Sequence, residues 1–215
     1  MKSRCASCRM HASLCICDLV TKLETRTRLV IVMHRAEERK STNTGVLAAR
    51  CIARSEIVVR GHEDRPTSFE VDPSTQPVLL FPHEDAVPLS RFARSERPIT
   101  LIVPDGTWRQ ASKARARVPG LRDIPCACLP VESPSTYRLR APSHATQLST
   151  IEAVARAMGL LEGAHVRRAI EHVFHAMVER TLWSKGDLDD ADVTVGIPPG
   201  VMRHDPKSGA TPARK

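Results

Sequence analysis

The chain is 215 residues long, 41% apolar but only 3% aromatic, with 32 basic against 24 acidic residues and a net charge of +8. That length suits one domain with a small appendage, and the composition supplies a mainly aliphatic core. The cationic excess favours a polyanionic partner. No apolar run approaches the ~18 residues of a membrane span, and Met1-Lys2-Ser3-Arg4-Cys5 lacks the apolar core of a secretion signal, so a cytoplasmic protein is expected.

Four of the seven cysteines, Cys5, Cys8, Cys15 and Cys17, fall in the first 17 residues. In a reducing compartment such crowding favours a metal over disulfides. Their spacing, Cys-x2-Cys then Cys-x-Cys, offers four thiolates to a closed, structural tetrahedral zinc shell. His11 is a candidate to replace one sulfur, and free thiols on a frayed end are the alternative. The knuckle is assigned to residues 1–24. Cys51, Cys126 and Cys128 read as small core residues.

Thr27 to Met33 (TRLVIVM) reads as the first strand, ended by His34 and a polar run containing Glu38. Ser41-Thr42-Asn43-Thr44-Gly45 offers caps for a helix reaching about Arg54. Glu56 to Arg60 is a second strand, residues 61–75 a loop, and Val78 to Phe81 a third strand. Ile99 to Val103 is a fourth, apolar enough to be buried on both faces. It runs into Pro104-Asp105-Gly106-Thr107-Trp108-Arg109-Gln110, where Thr107 and Gln110 form a capping box for a helix carrying Arg109, Lys113 and Arg117 on one face. Asp105 therefore lies beyond the carboxyl end of a parallel strand, where open α/β sheets bind ligands; a plain helix-starting role is the alternative. Ile124 to Leu129 is a fifth strand, at an edge or beginning at Pro125. Ser149 and Glu152 make a second capping box, and a long amphipathic helix follows from Ala164 to Trp183. From Thr107 through Arg140 there are seven basic residues and two acids. Residues 186–215 read as a disordered tail, and His165, His172 and His175 as surface histidines. Strands alternating with helices give an α/β fold with a mostly parallel sheet and flanking helices over residues 25–185.

These patterns occur in one order: the Cys-x2-Cys…Cys-x-Cys head, His34 with Glu38, Asn43-Thr44-Gly45, Asp105-Gly106-Thr107-Trp108, Tyr137-Arg138-Leu139-Arg140, and Leu148-Ser149-Thr150 with Glu152. The series resembles the DTW-domain family of tRNA-uridine aminocarboxypropyltransferases. The resemblance implies a SPOUT-like, trefoil-knotted catalytic domain, a feature that no periodicity reveals and that ordinary connection rules disfavour. It also implies tRNA as partner and S-adenosylmethionine as donor of a 3-amino-3-carboxypropyl group to N3 of a uridine. Carried onto this chain, the donor-side residues are Pro104, Gly106, Thr107, Leu129, Leu139, Arg140, Leu148, Ser149, Thr150 and Glu152. The RNA-side residues are His34, Asn43, Trp108, Arg109, Lys113, Arg117, Tyr137 and Arg138.

Asp105 is the candidate catalytic residue, either as general base for the uracil N3–H or as an orienting hydrogen-bond acceptor. Trp108 either stacks on a base or packs in the core. Arg138 and Arg140 meet a phosphate, the donor carboxylate or water. A methyltransferase using the same donor, and a non-catalytic zinc protein that binds RNA, are the rival functions.

Overall fold

The computed structural model describes residues 4–40, 43–65, 67–139 and 147–203. Six strands, β1 (Arg28–His34), β2 (Ser55–Arg60), β3 (Gln76–Leu80), β4 (Val87–Pro88), β5 (Ile99–Asp105) and β6 (Cys126–Cys128), form one sheet in the order β2-β1-β5-β3-β6-β4. Every pairing is parallel, so each strand is reached by a crossover and both faces must be covered. Five helices provide most of that cover: α1 (Thr44–Cys51), α2 (Trp108–Ala111), α3 (Ala114–Arg117), α4 (Thr150–Glu162) and α5 (Ala164–Lys185).

Side chains alternate along each strand. Leu29, Ile31, Met33, Leu101 and Val103 join one core with α1, α4 and α5. Val30, Val32, Leu79 and Ile102 point the other way, against Phe69, Val118, Leu121 and Ile124. This explains why β1 and β5 are almost uniformly apolar rather than alternating. On α4, Ile151, Val154 and Met158 are fully buried, each contributing about 1.5–3 kcal/mol by leaving water. No described helix is long and apolar enough to cross a membrane.

Several boundaries differ from expectation. The first helix stops at Cys51 because Leu23 bonds both Cys51 O and Ala53 N, drawing Ile52 into an extended bridge. The expected helix from Thr107 is two four-residue helices with a turn between them. The buried Arg60 guanidinium donates to the Gln110 carbonyl, which also accepts from the Lys113 amide, so the regular ladder is interrupted there. β4 holds two residues, one a proline, too short to leave a pattern. Pro125 precedes β6, which lies inside the sheet rather than at its edge.

The expected disorder after Gly186 is corrected over 187–203. Leu188 is buried in the main core, and Val193, Val195, Ile197 and Val201 pack against it. The buried Glu179 accepts from the Thr194 and Val195 amides, and Arg180 Nε donates to the Gly196 carbonyl. Two charged residues of α5 thus serve the backbone of a segment whose composition conceals its packing. Residues 204–215 lie outside the described residues. The N-terminal segment also joins the main core, through Met10, Leu14 and Ile16. His165 and His172 are exposed, and His175 is half-buried beside the Phe174 ring.

Candidate active site

β5 runs two residues further than its apolar pattern, carrying Pro104 and Asp105 into the sheet. Asp105 ends the strand opposite Met33 of β1 and is only 5% exposed. A carboxylate buried this deeply needs donors, and two other elements supply them. Asn43 Nδ2 donates to Oδ2 at 2.7 Å, and the Thr150 hydroxyl donates to Oδ1. Asn43 also caps α1, its Oδ1 accepting from the Val46 amide at 2.8 Å, and Thr150 is the first residue of α4. One carboxylate therefore ties the end of β5 to the starts of α1 and α4. Gly45 makes the approach of α1 possible, since a Cβ there would lie 2.9 Å from Asp105 Oδ2 and 3.2 Å from Ile31 Cγ2.

Beyond Asp105 the chain turns through Gly106, whose φ is +153° and where a Cβ would meet Gln110 Oε1 at 2.9 Å. The expected capping box is present: Gln110 Oε1 accepts from the Thr107 amide at 2.8 Å, and Thr107 Oγ1 from the Gln110 amide at 3.3 Å. Gln110 Nε2 also reaches His34 Nδ1, 3.2 Å away. The turn leaves Trp108 45% exposed, with its ring 4.9 Å from that of Phe81. Of its two expected environments, Trp108 thus occupies the surface one.

A cleft of about 570 Å³ opens at the carboxyl ends of β3, β5 and β6, within the usual size of a small-molecule site. Pro104, Gly106, Trp108, Leu129, Leu148 and Thr150 line it, as do Phe81, Gln147, Glu132 and Arg156. Asp105 stands directly behind this wall, between Pro104 and Gly106 and bonded to Thr150. Arg156 is 8% exposed and donates to the Ser133 carbonyl at 2.7 Å, with Glu132 3.9 Å from its Nε. Among the described residues these are the only two charged members of a mostly apolar lining, in which Ser133, Gln147 and Thr150 are the polar ones.

Other residues named from sequence lie apart from the cleft. Glu152 is buried and accepts from the Ser149 amide and hydroxyl, the Ser135 hydroxyl and the Thr136 amide. Burial pushes its carboxyl up, but the hydrogen bonds from Ser149, Ser135 and Thr136 outweigh it and hold it below the ordinary range. Ser149 and Glu152 therefore clamp the 135–137 segment to α4. Tyr137 is a core residue, its ring 5.8 Å from Phe174, and Leu139 packs against the same core. Arg138, Arg109 and Arg117 are exposed and Lys113 is half-buried. Arg140 lies outside the described residues. Phe81, Gly45, Glu132, Arg156 and Gln147 were not among the site residues expected from the sequence. Only Gly45 left a signal, as the glycine of Asn-Thr-Gly; the others come from segments that fold over the cleft from a distance.

The cysteine head gathers as its spacing predicts. The sulfurs of Cys5, Cys8, Cys15 and Cys17 lie within 4.8 Å of one another, with Cys5–Cys17 and Cys8–Cys15 each at 3.6 Å. A tetrahedral zinc with Zn–S of about 2.3 Å has S···S edges of about 3.8 Å, so the four fit such an ion. Backbone amides of Cys8 and Ser7 draw the Cys5 thiol down to about 6, and burial pushes Cys15 up to about 12. Arg50 donates to Cys17 Sγ at 3.3 Å and Arg180 to the Cys15 carbonyl at 2.6 Å. His11 is not in the cluster; its Nδ1 pairs with Ser13 Oγ at 2.6 Å.

A parallel α/β sheet with a mostly apolar cleft at its strand ends, and a metal-competent cysteine cluster on its helical layer, defines an open-cleft α/β protein with a cysteine-rich head. More specifically, the chain belongs to the DTW domain family, whose profile matches residues 2–182. It is similar to tRNA-uridine aminocarboxypropyltransferase 2 of Drosophila melanogaster, 27% identical over 190 residues, covering 84% of this chain and 76% of that protein. The Macaca fascicularis protein of the same name is 30% identical over 172 residues, covering 75% of this chain and 57% of its own length. The chain thus spans little more than half of the primate relative. A solved structure, the SAM-dependent rRNA:acp-transferase Tsr3 from Vulcanisaeta distributa, aligns over 80% of this chain and 86% of its own, with TM-score 0.45 and 17% identity.

Proposed function

We propose that this chain transfers the 3-amino-3-carboxypropyl group of S-adenosylmethionine to N3 of a uridine in tRNA, releasing 5′-methylthioadenosine. The observation that carries this reading is the cleft at the ends of β3, β5 and β6, with an exposed indole on its rim and a buried carboxylate behind its wall. Family membership and the names of the relatives support it.

The donor is a sulfonium and already electrophilic, so the protein chiefly has to orient the partners. The bond from sulfur to the amino-acid γ-carbon breaks and its electron pair stays on the sulfur of 5′-methylthioadenosine, a bond from that carbon to N3 forms, and the N3 proton passes to a base, for which Asp105 is the candidate. Pro104, Gly106, Leu129, Leu148 and Thr150 supply a largely apolar wall for the donor. Trp108 offers a face on which a base stacks. Asp105 fixes the Thr150 hydroxyl and the Asn43 amide from behind, and so sets how the Thr150 side of the cleft meets the reacting groups. Cys5, Cys8, Cys15 and Cys17 would hold a structural zinc, which supplies folding energy and no step of the reaction.

Incubating the protein with S-adenosylmethionine and tRNA, followed by mass spectrometry of the nucleosides, tests the proposal. A 3-amino-3-carboxypropyl uridine is expected. A methylated nucleoside would make the chain a methyltransferase, and an unaltered tRNA a binding protein. Asp105→Asn is expected to keep tRNA affinity while transfer falls ~10²–10⁴-fold.

A further inference from the structure

At the carboxyl ends of β1 and β2, across Gly106 from the cleft, several cations gather, while the nearby Glu38 is taken up by His62 at 2.7 Å. His34 and Arg60 end these neighbouring strands in register. Arg60 is 4% exposed, and its Nε–H is buried without a hydrogen-bond partner. Gly61, at φ +90°, brings the chain against both His34 and Arg35: a Cβ there would lie 3.4 Å from His34 Nε2 and 3.8 Å from Arg35 Cγ. Arg35 and Arg117, the latter closing α3, are both exposed. Burial first, then the nearby charge of Arg117, lowers the Arg60 ionisation; burial, Arg60, Arg35 and Arg117 do the same to His34 against an opposing pull from Glu37. Among the described residues, Arg35, Arg60 and Arg117 form no ion pair, and the adjacent Glu37 is buried and paired with Lys40 at 2.5 Å.

A buried guanidinium with a spare donor, crowded by like charges, is costly unless an anion completes it. Guanidinium forks match phosphate oxygens in particular. None of these residues lines the cleft, so the donor in the cleft is not the anion they serve. Gly106 touches both places, lining the cleft and packing toward His34 Cβ. We infer that Arg35, Arg60 and Arg117 form a recess that seats a phosphodiester of the RNA beside the uridine whose base enters the cleft. The inference rests on the RNA-modifying reading above and adds a contact that would set the register of the RNA on the enzyme.

The test is equilibrium binding of an unmodified tRNA transcript to the full chain over a range of salt, run beside the transfer assay. Arg35→Gln and Arg117→Gln are each expected to weaken binding and flatten the slope of log K against log salt by about 0.7–0.9, the loss of one phosphate contact. Arg168→Gln, which removes an exposed arginine of α5, is expected to leave affinity and slope unchanged. Arg60→Lys keeps the charge without the fork and is expected to weaken binding severalfold; melting temperature monitors its folding. Wild-type affinity and slope in both R35Q and R117Q would overturn the recess, as would an equal flattening in R168Q. Normal transfer together with unaltered slopes would reject the recess alone. The expected slopes without any transfer would reject the enzymatic reading and leave the recess standing.

Discussion

Gly45→Ala separates packing from chemistry at Asp105. Gly45 is the second residue of α1 and lies outside the left-handed region, so alanine should favour the helix by up to about 1 kcal/mol. The added methyl, however, would stand 2.9 Å from Asp105 Oδ2 and 3.0 Å from its Cγ. Ile31 is locked in the β1 core, whereas the carboxylate is held by hydrogen bonds such as those from Asn43 and Thr150, so the carboxylate is the group that moves. Losing its bond from Asn43 costs about 1.5–3 kcal/mol for a hydrogen bond to a charged group. Set against the helix gain, the net destabilisation is about 0.5–2 kcal/mol, or a few degrees of melting temperature in a domain of this size. Displacement of a reacting group by about 1 Å can cost ~10²-fold in rate. The signature is thus a nearly normal melting curve with single-turnover transfer reduced ~10²-fold. A G45A protein that transfers at the wild-type rate would show that the position of Asp105 does not matter to the reaction.

Trp108→Ala should leave stability nearly unchanged, because the indole is 45% exposed, yet lower affinity for the stacked partner by about 1–3 kcal/mol; Trp108→Phe should recover most of it. Fluorescence titration with tRNA and with the donor separately would identify which of them stacks, and no change with either would remove Trp108 from the site. The Glu152 carboxyl is held below its ordinary value of 4.5. Its folded form binds fewer protons than the unfolded chain, so the stability it contributes is present above that value and is lost as pH falls through the folded one. Glu152→Gln should therefore show a shallower loss of melting temperature below about pH 4.5 than the wild type; parallel acid curves would contradict this. Purified protein should contain one zinc per chain by elemental analysis, and Cys8→Ser should lower both zinc content and melting temperature. Wild-type zinc content in C8S would rule out the four-thiolate shell.

Elements with strong local signals were legible in the sequence. β1 and β5 announce themselves by unbroken apolar runs, the Thr107–Gln110 box by its spacing, and the cysteine head by ligand arithmetic. The location of Asp105 followed from strand order and the general position of α/β sites. Its burial did not, because Asn43 and Thr150 arrive from 62 and 45 residues away. Tyr137 lay beside arginines in a polar stretch and nothing local marked it as core; its partner Phe174 belongs to α5. The break after Ala111 depends on Arg60, a residue of β2, capturing a carbonyl of a distant turn. The segment after Gly186 was misread because its packing rests on Glu179 and Arg180, charged residues that composition assigns to the surface. In each case a long-range contact decided the outcome, polar in all but that of Tyr137, and periodicity carries no information about such contacts.

The burial of Met10, Leu14 and Ile16 against α1 and α5 has a practical consequence for dissecting this molecule. A fragment starting at β1 would expose the apolar surface those three side chains cover, and would also take the Cys15 carbonyl away from Arg180 Nη1. Such a fragment should aggregate rather than behave as an isolated catalytic unit. The four-thiolate head is better regarded as a wedge driven into the helical layer than as a detachable accessory.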